Sequence, residues 1–215
     1  MSISWNKQHH DQLDWHWQTQ LRTRLEGLTD EEYFWEPVPG CWSIRKRGES
    51  QAPMALGAGD YLIDMAGEDL DPPPVTTIAW RLAHIMVGCF VMRLDNEYFD
   101  GPQTYQGSYS AGFNGFTHAA TAKEALAQFD TIYARWSETV RRLGEEGLAQ
   151  PCEFADEPLS TLILHINREV IHHGAEIALL RDLYRAKFAA ACRADHPTGG
   201  EPARGQGSGP VVPGS

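Results

Sequence analysis

Leu162-Ile-Leu-His-Ile-Asn-Arg-Glu-Val-Ile-His-His-Gly-Ala-Glu-Ile177 is an apolar segment that carries Glu169 and His173 four residues apart. On a helix such residues lie on one face, one turn above the other. A carboxylate and an imidazole stacked this way can hold one divalent ion from two sides. A third ligand has to come from another segment. His84, in Trp80-Arg-Leu-Ala-His-Ile-Met86, is the candidate, because that segment is also apolar and also reads as helix. Two apolar helices with few ligand-type residues are what a metal site inside a helical bundle requires.

A histidine on an apolar helix ordinarily packs as a core residue. The glutamate is what points to an ion, since burying a bare carboxylate costs several kcal/mol and calls for a partner. Arg168 and Arg81 are alternative partners. Spacing leaves the register open. His165, Glu169 and His173 recur at every fourth residue, and Glu169, His172 and Glu176 fit one face almost as well.

Working outward, Leu13, Trp17, Leu21 and Leu25 recur every four residues and predict a helix from about Lys7 to Gly27. Thr29-Asp-Glu-Glu32 reads as a capping box opening a short helix. The Trp-rich run Trp35-Glu-Pro-Val-Pro-Gly-Cys-Trp-Ser-Ile44 is broken by Pro37, Pro39 and Gly40, and its aromatics are expected to lay a crossover onto the bundle. Residues 45–70 have room for a strand or two. Asp71-Pro-Pro-Pro-Val75 forbids helix, and Thr76 or Thr77 caps a second long helix to about Phe99. Residues 100–120 interleave glycines with Tyr105, Tyr109, Phe113 and Phe116, and form a candidate lid.

Thr121-Ala-Lys-Glu124 is a second capping box. The helix behind it buries Leu126, Phe129, Ile132, Trp136, Val140 and Leu143 and ends at Gly144 and Gly147. Ser160 caps the fourth helix, which runs to about Lys187. After Ala191 the composition collapses to Gly, Pro, Ser and Ala. The expected architecture is all-α: a four-helix bundle with long crossovers over residues 1–190, then a flexible, disordered tail over 191–215.

The chain has 215 residues and a net charge of −11, so no basic stripe is available to neutralise phosphates and no nucleic-acid partner is expected. No run of about 20 apolar residues exists to span a membrane. Met1–His10 has no apolar signal core, so cytoplasmic residence is expected. Cys41, Cys89, Cys152 and Cys192 match no zinc or redox spacing and read as free thiols, with Cys41 a candidate nucleophile.

Helix, Trp-rich crossover, helix with Ala83-His84-Ile85, helix, and final helix with Glu169-Val-Ile-His-His173-Gly-Ala-Glu-Ile177 together resemble the DinB-like (DinB/YfiT) superfamily over roughly residues 8–188. Its members commonly carry one histidine in the second helix and an H-x-x-x-H pair in the fourth, which bind a divalent ion. Here Glu169 stands at the first position of that pair. The His, Glu, His set and the segment Leu25–Ile44 resemble the mycothiol-dependent branch, typified by maleylpyruvate isomerase in actinobacteria. The resemblance implies His84, Glu169 and His173 as ligands of zinc, nickel or iron, with His165 and His172 as neighbours. The isomerase resembled has a second domain that helps bind the thiol, where this chain has a short polar tail.

Three ligands and an open position imply a catalytic site. The resemblance implies mycothiol as co-substrate and thiol S-transfer or isomerisation of a small electrophilic metabolite. His172, Glu176 and His165 are candidate acid–base groups. A metal-dependent hydrolase and a non-catalytic metal-binding or interaction module are the rival readings, and a homodimer is compatible with all of them.

Overall fold

A computed structural model describes residues 2–67, 70–105, 109–152 and 157–195. Helix α1 begins at Ser4, whose side chain accepts from the Lys7 N–H, and covers Trp5–His16. It continues through a wide π-helical stretch, Trp17–Leu21, into Arg22–Arg24. Leu13, Trp17, Leu21 and Leu25 form its buried stripe. Gly27, at φ 65°, turns the chain out of the helix.

Short helix α2, Asp30–Tyr33, opens on the expected capping box, in which Thr29 and Glu32 satisfy each other's backbone N–H groups. Glu32 has a second task. Arg181 is 1% exposed and reaches it through two bonds, Nε to Oε1 at 3.1 Å and Nη2 to Oε2 at 2.9 Å. This buried fork ties the crossover to the last helix.

Between residues 44 and 65 the bundle carries a small antiparallel sheet: β1 (Ile44–Lys46), β2 (Met54–Leu56) and β3 (Tyr61–Met65), in the order β1-β3-β2. Ile63 pairs with Ile44 on one side and Leu56 on the other, and all three are buried. Asp64, also buried, accepts from the Ser43 N–H and Arg45 Nε, both at 2.9 Å, and from the Ser50 hydroxyl. The stretch with room for a strand or two thus holds three short ones, in a fold that helix dominates.

Helix α3 is capped by Thr77, which accepts from the Trp80 N–H, and covers Ile78–His84. Directly after His84 it widens into a second π-helical stretch, Ile85–Val91, and closes over Met92–Leu94. The expected end near Phe99 is instead a separate 3-10 turn, Glu97–Phe99, capped by Asn96. The glycine-rich segment that follows is not wholly irregular, since Tyr109–Gly115 forms helix α4.

Helix α5, Ala122–Leu148, is capped by Thr121, which accepts from the Glu124 N–H. The Glu124 carboxylate reaches Ala120 N at 3.1 Å, one residue beyond the box expected. Phe129, Tyr133, Trp136 and Val140 line its buried face, while Leu126, Ile132 and Leu143 flank it, half-buried. Gly144, at φ 64° and ψ −175°, interrupts the helix where its end was expected, and a short helical piece follows to Leu148.

Helix α6, Leu159–Asp195, starts one residue ahead of Ser160 and runs beyond Lys187. Of the expected tail, residues 196–215 lie outside the described residues. Helices α1, α3, α5 and α6 pack on one another, and α4 lies on the π-helical half of α3. Trp17 stacks on Tyr133 at 3.7 Å between ring centroids in the middle of the bundle. Among the described residues no helix is long and apolar enough to cross a membrane.

A candidate metal centre between two helices

Helices α3 and α6 meet with their ligand-type residues in the interface. The His84 and His173 rings stand 4.7 Å apart between centroids, nearly perpendicular at 87°. Glu169, one turn before His173, brings Oε2 to 3.7 Å from His173 Nε2. Two donors about 2.1 Å from one tetrahedral ion stand about 3.4 Å apart. The pair is therefore spaced for a shared ion with little adjustment.

The outer nitrogen of each histidine is already engaged. His173 Nδ1 lies 2.7 Å from Glu176 Oε2, a distance at which the ring N–H donates to the carboxylate. His84 Nδ1 lies 3.2 Å from the Tyr109 hydroxyl. A proton on Nδ1 in both rings leaves both Nε2 lone pairs for an ion, the arrangement by which neighbouring groups fix ligand tautomers.

Burial, followed by the charges of His173 and Arg81, pushes the His84 imidazole down to about 3, so it is neutral at neutral pH. Its ring stacks on Trp80 at 5.0 Å and 9°, which sets its plane. Burial works against the charge on Glu176. The hydrogen bond from His173 and the charge of Arg81 outweigh it and hold the carboxyl below its ordinary range. Arg81 Nε lies 3.0 Å from the same oxygen.

Among the described residues one set of three ligand-type side chains has its atoms all within 4.8 Å of one another, and it is His172, His173 and Glu176. It is tighter than His84, Glu169 and His173. Its chemistry is poorer. Glu176 already carries a guanidinium, which repels a cation at that oxygen. Using His173 Nδ1 would break its bond to Glu176, and His172 is exposed, with Nε2 3.5 Å from Glu176 Oε1.

Glu169 is only half-buried, and Arg168 Nε touches its other oxygen at 3.3 Å. The expectation of a bare buried carboxylate is corrected to a carboxylate at the rim with one oxygen facing His173. His165 turns to Arg168 Nη2 at 2.6 Å and lies 3.7 Å from Glu169 Oε1, on the side away from His173. Cys41 is buried and bonds its thiol to the Val38 carbonyl. Burial raises its thiol above the ordinary range, which disfavours the thiolate a nucleophile needs. Cys89 is held protonated by burial and the nearby charge of Glu169, which push it up to about 12.

Spacing alone passes over two residues. Tyr109 sits in a segment singled out as a lid, yet its contact with His84 depends on Gly88. A Cβ at Gly88 would meet the Tyr109 oxygen at 2.4 Å. Trp42, expected only to anchor its crossover, lines a cavity of about 390 Å³ that opens beside His84 and Tyr109. A larger hollow, about 1010 Å³, lies between α5 and the turn around Phe99 and contains none of these residues. Ligand-type side chains, not volume, locate the centre.

The family described as the DinB superfamily matches residues 12–177, a span holding every residue of the centre. No curated protein and no solved structure matches the chain.

Proposed function

The chain belongs to the DinB superfamily, and from that premise we propose that it is a metal-dependent thiol S-transferase acting on a small electrophilic metabolite. The observation that supports this reading is the meeting of the two helices: the His84 and His173 rings stand 4.7 Å apart, each with Nδ1 beside a partner, and Glu169 Oε2 lies 3.7 Å from His173 Nε2. Two neutral imidazoles and one carboxylate would hold a divalent ion, zinc first, with an open position. Bound there, the ion supplies net positive charge that favours the thiolate form of an incoming thiol at neutral pH.

The protein's own part follows from the geometry. Glu176 and Arg81 hold the His173 ring, and Trp80 and Tyr109 hold the His84 ring. Glu169 would supply the negative charge that holds the ion. His172, exposed beside Glu176, is the side chain best placed to exchange protons with water. Mycothiol is the thiol to try first, on the resemblance of the Trp-rich segment and of Glu169 at its family position.

The test follows loss of free thiol against a model electrophile, with zinc-loaded and chelated protein in parallel, across mycothiol, bacillithiol and glutathione. The expected result is metal-dependent consumption of one of them, lost in Glu169→Ala and largely kept in His165→Ala. Equal rates in loaded and chelated protein for all three thiols would overturn the transferase reading.

A further inference from the structure

The cavity beside His84 is built to receive something the metal ligands do not use. Trp42 and Trp80 form one wall, with rings 6.3 Å apart and tilted by 45°. Met65, Leu70 and Pro73 line the cavity as well, together with His84 and Tyr109. Both tryptophans are fixed by the backbone. Trp80 Nε1 donates to the Asp64 carbonyl at 2.7 Å. Trp42 is stitched to the strand-like run before α3, its N–H to Val75 O and its carbonyl to Thr77 N, each at 2.9 Å. Walls held in advance lose little entropy when a ligand enters.

Among the described residues no Lys, Arg, Asp or Glu lines the cavity. The described lining thus gives a charged group no partner of opposite sign. An apolar ring would gain aromatic contact instead. About 390 Å³ exceeds the roughly 150 Å³ that accommodates benzene and falls in the range of small-ligand sites. A single ring or branched alkyl group with a short chain fits that volume.

Tyr109 adds a polar handle beside His84. With Nε2 of His84 turned toward an ion, Nδ1 carries the ring proton and donates to the Tyr109 oxygen at 3.2 Å. The phenol then offers its own O–H to an acceptor in the cavity. We propose that this cavity is the substrate subsite of the centre, and that it takes an aryl or branched-alkyl carbonyl compound whose oxygen accepts from Tyr109. The placement of the reacting end rests on the metal reading above; the cavity and its walls do not.

The test uses the full chain, zinc-loaded and chelated, with acetophenone as probe and acetone as the same carbonyl without the ring. Indole N–H signals are followed by NMR. Acetophenone should shift those of Trp42 and Trp80 at millimolar concentration in both preparations, and acetone at the same concentration should shift neither. Trp42→Ala, or Met65→Ala if that chain does not fold, should raise Kd at least about fivefold. Tyr109→Phe at saturating zinc should raise it about three- to tenfold. Equal effects of the two ketones, or no shift at Trp42 and Trp80, would overturn the subsite. An unchanged Kd in Tyr109→Phe would overturn the hydrogen bond. Failure of the metal reading looks different: no zinc is retained, while acetophenone still shifts both indoles.

Discussion

Nδ1 of His173 stands 2.7 Å from Oε2 of Glu176, and that oxygen is shared with Arg81 Nε at 3.0 Å. The contact assigns roles to two glutamates that the helix presents on nearly one face. Glu176, neutralised by a guanidinium, orients the histidine. Glu169, seven residues earlier, has one oxygen turned toward Nε2 of the same ring.

Glu176→Gln is therefore expected to weaken metal affinity about 10- to 100-fold while leaving one bound ion at saturation. Glu169→Ala is expected to lose the ion, because two imidazoles alone hold it poorly. Competition with a chromophoric chelator measures both. Loss of all binding in Glu176→Gln, with binding kept in Glu169→Ala, would exchange the two roles.

His84 gives the metal-free protein a defined pH response. Its imidazole is held at about 3 in the fold, against an ordinary 6.5. The unfolded chain takes up that proton below about 6.5 and the folded chain does not. Unfolding therefore binds protons between about 6.5 and 3, and stability falls as pH drops through that window. The buried His118, pushed down to about 4 by burial, acts in the same direction. Urea unfolding of chelated protein from pH 7 to 4.5 should show a shallower slope for His84→Gln than for the parent. Equal slopes would contradict the buried neutral imidazole.

Arg181 and Glu32 form the best-buried ion pair on the crossover side. Arg181→Met leaves a buried carboxylate without its fork and should cost about 3–5 kcal/mol in urea unfolding. Arg181→Met with Glu32→Gln should recover part of that loss. A cost under about 1 kcal/mol for the single variant would show that Arg185, whose Nε lies 3.3 Å from Glu32 Oε1, suffices as partner.

Gly88 has no room for a side chain, since a Cβ there would meet the Tyr109 oxygen at 2.4 Å. Gly88→Ala is expected to push Tyr109 off His84 and to destabilise by about 1–3 kcal/mol through overpacking. Combining it with Tyr109→Phe should relieve most of the cost, because the colliding oxygen is gone. Full additivity of the two changes would place the clash elsewhere.

The long helices were legible because a buried stripe repeats at helical spacing: Leu13, Trp17, Leu21 and Leu25 are all buried where the pattern put them. The strands were legible only as room for one or two over residues 45–70. Ile44–Lys46 and Met54–Leu56 are three residues each, too short for alternation to register, and are held by pairing with Tyr61–Met65. The π-helical stretches at Trp17–Leu21 and Ile85–Val91 shift backbone hydrogen bonds by one residue, which side-chain periodicity barely records.

The centre was legible residue by residue but not as a set. Spacing on α6 admits Glu169 with His173, or His172 with Glu176, and the approach of α3 adds that His84 meets His173, a residue common to both close sets. Arg81 was visible as a partner for a glutamate, yet which glutamate it meets depends on helix packing. Tyr109 is one of several tyrosines and phenylalanines in a glycine-rich segment. Its role follows from the gap at Gly88 on a different helix, a relation between positions far apart in the chain.

The central claim is that one ion is held by His84, Glu169 and His173, and the direct measurement is anomalous diffraction from a crystal of the zinc-loaded protein. The account predicts a single zinc about 2.0–2.2 Å from His84 Nε2, His173 Nε2 and one Glu169 oxygen, with His173 Nδ1 still on Glu176. Zinc bound by His172 and Glu176, with the His84 ring left stacked on Trp80 and out of its reach, would contradict it.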